Sequence, residues 1–560
     1  MIPVLKNATR YTPELLCGAV ALLLRLWLLS WFVHSPLFVP LDGGHDRTLY
    51  LHAAIEVANG HLFPPGAFEH LPLYPWLLGL IYVLLPATPA TAALFGILCD
   101  TLTTLLLVSL ARRLGASPPW AILAGLIYAA YPLAIVYSTL TMPNTLNALG
   151  LTLFAFLASS PALLTLRRSA GLGALAGLIA LGFAGMLTIA AAWMIYQLIA
   201  SPRRHLLPVL IFLITLALPL LPPALHNTRA EGQFVLLTTH GGFNLYMGNH
   251  PRATGYPLRV ENFRMTAKAM LEDAHHHAEN QTGLSLSRAQ SSAWWADQAK
   301  TFWRESPRHA LQLTLKKIAL FWNHRDMDDL RIREQIAIME QRLTSRAWPG
   351  FAVISFLGLI GLLFTRRATP AKLISLAGIG GLILFFITAR YRLTFAPLLL
   401  ALGAAGSTRL SEAVRQRAYA KLLALLPLLI FIFWPFEVRD QRPIDHYNAA
   451  LQLLAADQPE RALDIVQRGL AIAPHFANLH HAEGSIWFRR GDFNAAARSF
   501  ANALHHGDAL PNTPYNLALS LARAERYCEA FHVLDADPAL RSRDPLSARL
   551  HTELAPFCDN

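Results

Sequence analysis

Carboxylates placed where an apolar run gives way to a polar one can do acid–base chemistry on a hydroxyl or an amine. The chain has such a place at 41–82, LDGGHDRTLYLHAAIEVANGHLFPPGAFEHLPLYPWLLGLIY, which carries Asp42, Asp46 and then Glu69. Asp46 has a second reading, as the cap of a helix beginning near Arg47. Two further charges, Arg25 and Asp100, lie inside apolar runs, where each costs at least ~2.5 kcal/mol on insertion scales. They are expected to pair with one another and dock two helices, although Arg25 has the alternative of snorkelling. His275, His276 and His277 follow Glu272 and Asp273, but consecutive residues do not share a helix face, so no metal site is expected there.

The elements that must position these residues are membrane helices. Of 560 residues, 54% are hydrophobic and only 15% charged, against about 25% charged in soluble proteins. The mean hydropathy is +0.37. The formal net charge is +12. The basic residues sit in small clusters at the ends of apolar runs, a topology signal rather than a nucleic-acid face. Spans of about 20 residues fit at 13–34, 90–111, 118–137, 142–164, 170–185, 186–200, 205–223, 348–364, 372–388, 393–407 and 421–437. That is roughly eleven spans. The first run is too long for the apolar core of a signal peptide and reads as a first span. Lys6 and Arg10, Arg112 and Arg113, Arg167 and Arg168, Arg203 and Arg204, Arg366 and Arg367, and the segment from Arg409 to Lys421 fall on one side only if 71–86 does not fully cross. The run 170–200 must then be a hairpin, because a single span would invert everything after it. Two outer loops follow, 35–89 and 224–347. The second is long enough for a small domain and is expected to be of mixed structure.

From about Arg439 the sequence turns soluble and repeats itself. Ala450, Gly484 and Ala518 are 34 residues apart, as are Ala462, Ala496 and Ala530, with Gly491-Asp492-Phe493 marking a turn between them. A period of 34 with small residues at fixed places is the tetratricopeptide signature. The expected division is therefore a transmembrane domain at 1–438 and a repeat domain at 439–560. The concave face of such repeats binds a protein or peptide partner, or else the repeats pack on the outer loops. Cys528 and Cys558 would share an oxidising compartment and have the option of a disulfide, whereas Cys17 and Cys99 sit in apolar runs as packing residues.

Asp46, Tyr50, Ala54 and Gly60, followed by Pro72-Leu73-Tyr74-Pro75, resemble the first-loop motif of the GT-C glycosyltransferases. They resemble in particular bacterial relatives of the protein O-mannosyltransferases and of the lipid A aminoarabinose transferase. The likeness continues in order with His240-Gly241-Gly242, Asn244-Leu245-Tyr246, the segment 317–322, and Thr388-Ala389-Arg390-Tyr391-Arg392 ahead of Pro397. It covers roughly residues 10–410. It implies an all-α polytopic fold and inverting transfer of a sugar from a polyprenyl-phosphate donor. The site would lie on the outer, periplasmic side of a bacterial inner membrane. The catalytic base would be Asp46, with Asp42 its nearest competitor. Arg390, Arg392 and Lys317 would hold the donor's phosphate, since Arg forms bidentate contacts with phosphate. Tyr50, Glu69, Tyr74 and Tyr391 belong to the same substrate-binding set. No cofactor is implied, because transferases of the single-sugar type work without a metal. One departure is Asn144, where relatives often carry a Glu. Two other readings stand beside this one. An oligosaccharide-transferring relative would use a diphosphate carrier and a divalent ion. A non-catalytic scaffold would recruit envelope-assembly proteins through the repeats, but it has no need of the acids and outer arginines.

Overall fold

In a computed structural model the described residues are 11–40, 45–161, 163–257, 263, 266–345, 347–365, 369–417, 419–423, 425–436, 440–507 and 510–558. Asp42, Lys6, Arg10, Arg366, Arg367 and Arg439 lie outside them. Among the described residues the chain is helical, with no strand. It divides into two units. The first comprises Met1–His34, Asp42–Leu330 and Arg346–Pro435, and the second Ser35–Leu41, Arg331–Ser345 and Phe436–Asn560.

The helices of the first unit begin with α1 (Thr12–Phe32), α2 (Asp46–Ala58), α3 (Leu73–Tyr82), α4 (Pro89–Arg113), α5 (Pro118–Ala129), α6 (Pro132–Tyr137) and α7 (Asn144–Ala158). They continue with α8 (Leu166–Ala180), α9 (Met186–Ala200), α10 (Pro202–Glu231), α11 (Gly241–Met247), α12 (Ala267–Thr282), α13 (Arg288–Glu305) and α14 (Pro307–Trp322). After α15 (Ile332–Glu340), which belongs to the second unit, come α16 (Phe351–Phe364), α17 (Thr369–Ile383), α18 (Ala389–Leu393), α19 (Ala396–Arg415), α20 (Ala420–Leu423) and α21 (Leu425–Ile432).

By length and composition, α1, α4 and α10 are long and apolar enough to cross a membrane, and α3, α5, α7, α9, α16 and α17 are shorter apolar helices. With 10 residues, α3 spans ~15 Å, half of a ~30 Å hydrocarbon core. The expected span 118–137 is two helices, because Tyr131 ahead of Pro132 is extended and a proline cannot continue the hydrogen-bond ladder. The run 170–200 also divides, at 181–185. Gly173 lies against Phe212 and Thr215, and Gly177 against Leu216 and Pro219, so α8 and α10 run parallel. The chain must return along α8 to reach the start of α10, and α9 makes that return.

The segment 224–347 departs from the expected mixed structure. Its described residues form helices because helix signals punctuate them. Thr266 caps α12, Gly283 ends it in the left-handed region (φ 68°), and Ser287 with Gln290 forms a capping box at α13. Buried Trp295, Ala299 and Phe302 then recur at helical spacing. Trp295 joins Phe243, Met247, Phe263, Ala274 and Phe386 in one apolar cluster, which ties this segment to the entrance of α18. A Cβ on Gly242 would fall 1.7 Å from the Ser292 carbonyl oxygen, so α11 meets α13 backbone to backbone.

Arg25 and Asp100 are brought together, both fully buried. Arg25 Nε donates to Asp100 Oδ2 at 2.6 Å, and Tyr128 Oη donates to Oδ1 at 2.6 Å. Arg25 Nη1 also reaches the Ala21 and Ala129 carbonyls, at 3.0 and 2.8 Å. The cluster joins α1, α4 and α5, as a docking role requires.

In the second unit the chain forms successive helix pairs: α22 (Arg442–Ala455) with α23 (Pro459–Ile472), α24 (Ala477–Arg489) with α25 (Phe493–His505), and α26 (Thr513–Arg523) with α27 (Tyr527–Asp535). The short α28 (Pro538–Arg543) and α29 (Pro545–Leu554) follow. All six small residues of the 34-residue period are buried. Gly491 takes the turn at φ +82°, and Asp492 caps α25. Two segments expected in the outer loops belong to this unit. Arg331 Nη2 donates to Asp445 Oδ2 at 2.6 Å, and Ser35 Oγ donates to Glu340 Oε1 at 2.8 Å. Cys528 Sγ donates to the Phe557 carbonyl at 3.0 Å, one residue from Cys558.

Replacing Asp100 alone with Leu strands Arg25 in the apolar core and should cost about 3–5 kcal/mol. The double variant Arg25→Met with Asp100→Leu should recover most of that loss. Thermal unfolding of the detergent-solubilised chain checks both. Equal losses in the single and double variants would contradict the pairing energetics.

Candidate functional site

Asp46 opens α2, where the helix dipole favours negative charge. It is not the cap: His45 holds that position, and the Asp46 side chain turns elsewhere. Arg390, on the five-residue α18, donates through Nη1 to Asp46 Oδ2 at 2.7 Å, across 344 positions of sequence. Its Nη2 lies 2.7 Å from Asp329 Oδ2, and Thr388 Oγ1 donates to Asp329 Oδ1 at 2.7 Å. One guanidinium thus holds two carboxylates that would otherwise repel each other. Burial works against an ionised Asp46, but Arg390, with smaller help from His70 and His45, offsets it and keeps the carboxyl below the ordinary range. Burial likewise opposes the charge on Arg390, and Asp329, Tyr391 and Asp46 more than offset it.

Asp329 belongs to a segment the sequence reading passed over, NHRDMDDL at 323–330. Three acids within four residues, just after the family-like 317–322, were its signal. Tyr131 Oη donates to Asp326 Oδ1 at 2.7 Å, and Tyr137 Oη donates to Asp328 Oδ1 at 2.6 Å. Ala389 N donates to the Met327 carbonyl at 2.8 Å, fastening the segment to α18.

Arg392 is placed otherwise than expected. It is fully buried, and its Nη1 donates to the main-chain carbonyls of Phe321 and Asn323 at 3.2 and 2.8 Å. Its Nη2 lies 3.3 Å from Asp326 Oδ1, and its guanidinium carbon stands 3.9 Å from the Phe351 ring centroid. Those partners occupy its Nη groups with satisfying the end of α14 and the turn beyond, in a position closed to solvent. Lys317 is also fully buried, with Nζ donating to Asn249 Oδ1 at 3.0 Å. Burial pulls its pKa down to about 8. Asn249 is fixed in turn by the Leu245 and Leu384 carbonyls and accepts from Trp303 Nε1.

The other expected residues fall around this centre or behind it. Tyr50 stands edge-on to His70 and to Tyr74, with centroids 5.1 and 5.7 Å apart. Tyr74 is buried in a cluster with Ala54, Leu78, Tyr82 and Ala92, so its part is packing. Arg390 lies 5.3 Å from the Tyr391 ring centroid. Glu69 is engaged by Arg288. Asn144 Nδ2 donates to the Arg390 carbonyl at 3.0 Å and so helps to fix α18. His70 was not foreseen: its Nε2 lies 4.0 Å from Asp46 Oδ1, and its ring stands at 89° to that of His240, centroids 6.1 Å apart. His275 and His276 instead face Glu279, at 3.6 and 3.2 Å. Among the described residues no three His, Cys, Asp or Glu side chains are arranged to hold a metal ion.

The arrangement offers a carboxylate kept ionised, a fixed cation beside it, and neighbouring imidazoles. No protein-family profile and no curated protein matches the chain. Among solved structures, it is similar to the Archaeoglobus fulgidus oligosaccharyltransferase in its apo form, with 14% identity and a TM-score of 0.41 over 80% of this chain and 54% of that one. The same enzyme tethered to an acceptor peptide containing the NVT sequon gives 13% identity and a TM-score of 0.37, over 80% of this chain and 58% of that one. The chain therefore matches little more than half the length of those enzymes, and at such TM-scores the likeness does not establish a shared fold.

Because Lys317 loses its proton near pH 8 when folded, against about 10.4 in an unfolded chain, the unfolded state binds the extra proton between those values. Stability should rise with pH across that window, and the slope should diminish in Lys317→Met. Chemical unfolding at pH 7.5, 9 and 10.5 measures it; equal slopes in both proteins would rule it out.

Proposed function

We propose that this chain is a membrane glycosyltransferase of the GT-C type that moves a sugar from a polyprenyl-phosphate carrier to an acceptor on the outer side of a bacterial inner membrane. The observation that carries the reading is the meeting of Asp46 with Arg390, the acid and the cation of two separate family-like motifs, at 2.7 Å. The apolar helices supply the membrane setting that a lipid-linked donor requires.

In this reading the acceptor's hydroxyl or amine gives up its proton at Asp46 as it attacks the anomeric carbon from the face opposite the phosphate. The bond from that carbon to the phosphate oxygen breaks, its electron pair leaves with the polyprenyl phosphate, and the configuration inverts. Arg390 is the cation fixed beside the base, and preorganised charge of this kind costs no reorganisation during the reaction. Tyr50 and Tyr391 frame the approach, while Arg392 holds the main chain at 321–323 and Lys317 holds the Asn249 side chain behind it. The helix pairs of the second unit favour a protein or peptide partner on tetratricopeptide repeats. A pure scaffold would not require the buried Asp46–Arg390–Asp329 arrangement.

Asp46→Asn should reduce transfer from a labelled polyprenyl-phosphate sugar about 10²–10⁴-fold in a chain that still folds, since Asp329 remains to pair Arg390. Asp42→Asn should leave transfer within a few-fold of the parent. Undiminished transfer by Asp46→Asn would overturn the assignment, and loss in Asp42→Asn alone would move the role to Asp42.

A further inference from the structure

A base works best when its pKa lies near the working pH. Asp46 is poorly suited to keep a proton, because Arg390 occupies its Oδ2 and stabilises the ionised form. Its Oδ1 faces His70 Nε2 at 4.0 Å, and about a fifth of each side chain is exposed (20% and 21%), so both are open to the same solvent. The His70 side chain makes no hydrogen bond among the described residues.

The groups around His70 favour a neutral ring at rest. Asp46 and Arg390 act on it with opposite sign, Tyr50 and His240 present ring edges or faces, and neighbouring Glu69 is taken up by Arg288. Burial and Arg390 outweigh Asp46 and hold His70 below the ordinary imidazole range. Burial and the proximity of His70 depress His240 to about 3, so it stays neutral at working pH.

Resting on the glycosyl-transfer reading, we propose that the acceptor's proton passes through Asp46 Oδ1 to His70 Nε2, so that His70 is the proton's resting place during transfer. The bond from the nucleophile to hydrogen breaks as the bond from the nucleophile to the anomeric carbon forms. The carbon–oxygen bond to phosphate breaks with its electron pair. Asp46 ends as a carboxylate beside a His70 imidazolium, which then returns its proton to water. The separation of 4.0 Å closes in the substrate complex, as catalytic hydrogen bonds commonly tighten on binding. His70 acts through Asp46 and is a positioning and relay residue rather than one that touches the sugar.

The test is a pH profile of kcat and KM for the full-length chain in detergent or membranes, with a labelled polyprenyl-phosphate sugar as donor. A proton already on His70 blocks the relay, so wild-type kcat should fall on the acid side, with a limb below about pH 6.5. His70→Gln should lower kcat about 10²-fold, leave KM within twofold, and abolish that limb. His240→Gln should keep the limb. A His70→Gln enzyme that retains the limb overturns the relay, whether its kcat is unchanged or reduced in step with a lower melting temperature. A wild-type chain that transfers no sugar from any such donor overturns the glycosyl-transfer reading itself, and the relay with it.

Discussion

The centre of this molecule depends on a single guanidinium held between two carboxylates. Arg390 is nearly buried, so its charge is tolerable only because Asp46 and Asp329 lie at 2.7 Å on either side. Those two acids are tolerable together only because Arg390 separates them. Arg390 supports the ionised Asp46, and the two acids together support the charge on Arg390. Asp329 is held in turn by Thr388, and its segment by Tyr131, Tyr137 and the main chain of Ala389. The geometry of the pair is therefore set by α6, α18 and the residues that enter them as much as by α2.

The parts of this site that could be read from the sequence were those whose residue types stood out against their surroundings. An acid at the mouth of an apolar run and an arginine against the charge trend of the loops are conspicuous in a chain with 15% charged residues. Arg25 and Asp100 were legible for the same reason. Arg392 was not separable from Arg390, because residues two apart on a helix face different ways and the sequence does not say which way is inward. Asp326, Asp328 and Asp329 were passed over, since their partners come from Tyr131, Tyr137 and the segment 388–392, far away in sequence. His70 acquires its meaning only from the 4.0 Å approach to Asp46.

The fold shows the same division. Long apolar helices and a 34-residue period follow from hydropathy and small-residue spacing. The segment 224–347 was harder, because a polar, aromatic-rich composition resembles mixed structure until its caps are read. Ser287 with Gln290 and the glycine at 283 were the local signals. The recruitment of 35–41 and 331–345 into the repeat unit had none, because Arg331 and Asp445 are joined by packing rather than by pattern.

The 344 positions between the acid and its guanidinium also set a schedule. A ribosome making this chain delivers the carboxylate early and the cation only after most of the bundle has been threaded. Until then Asp46 has only water to support its charge, and Asp329 lacks the clamp that separates the two acids. The arrangement of one guanidinium between two acids is thus complete only late in synthesis, once α18 has packed against α2 and the segment 323–330.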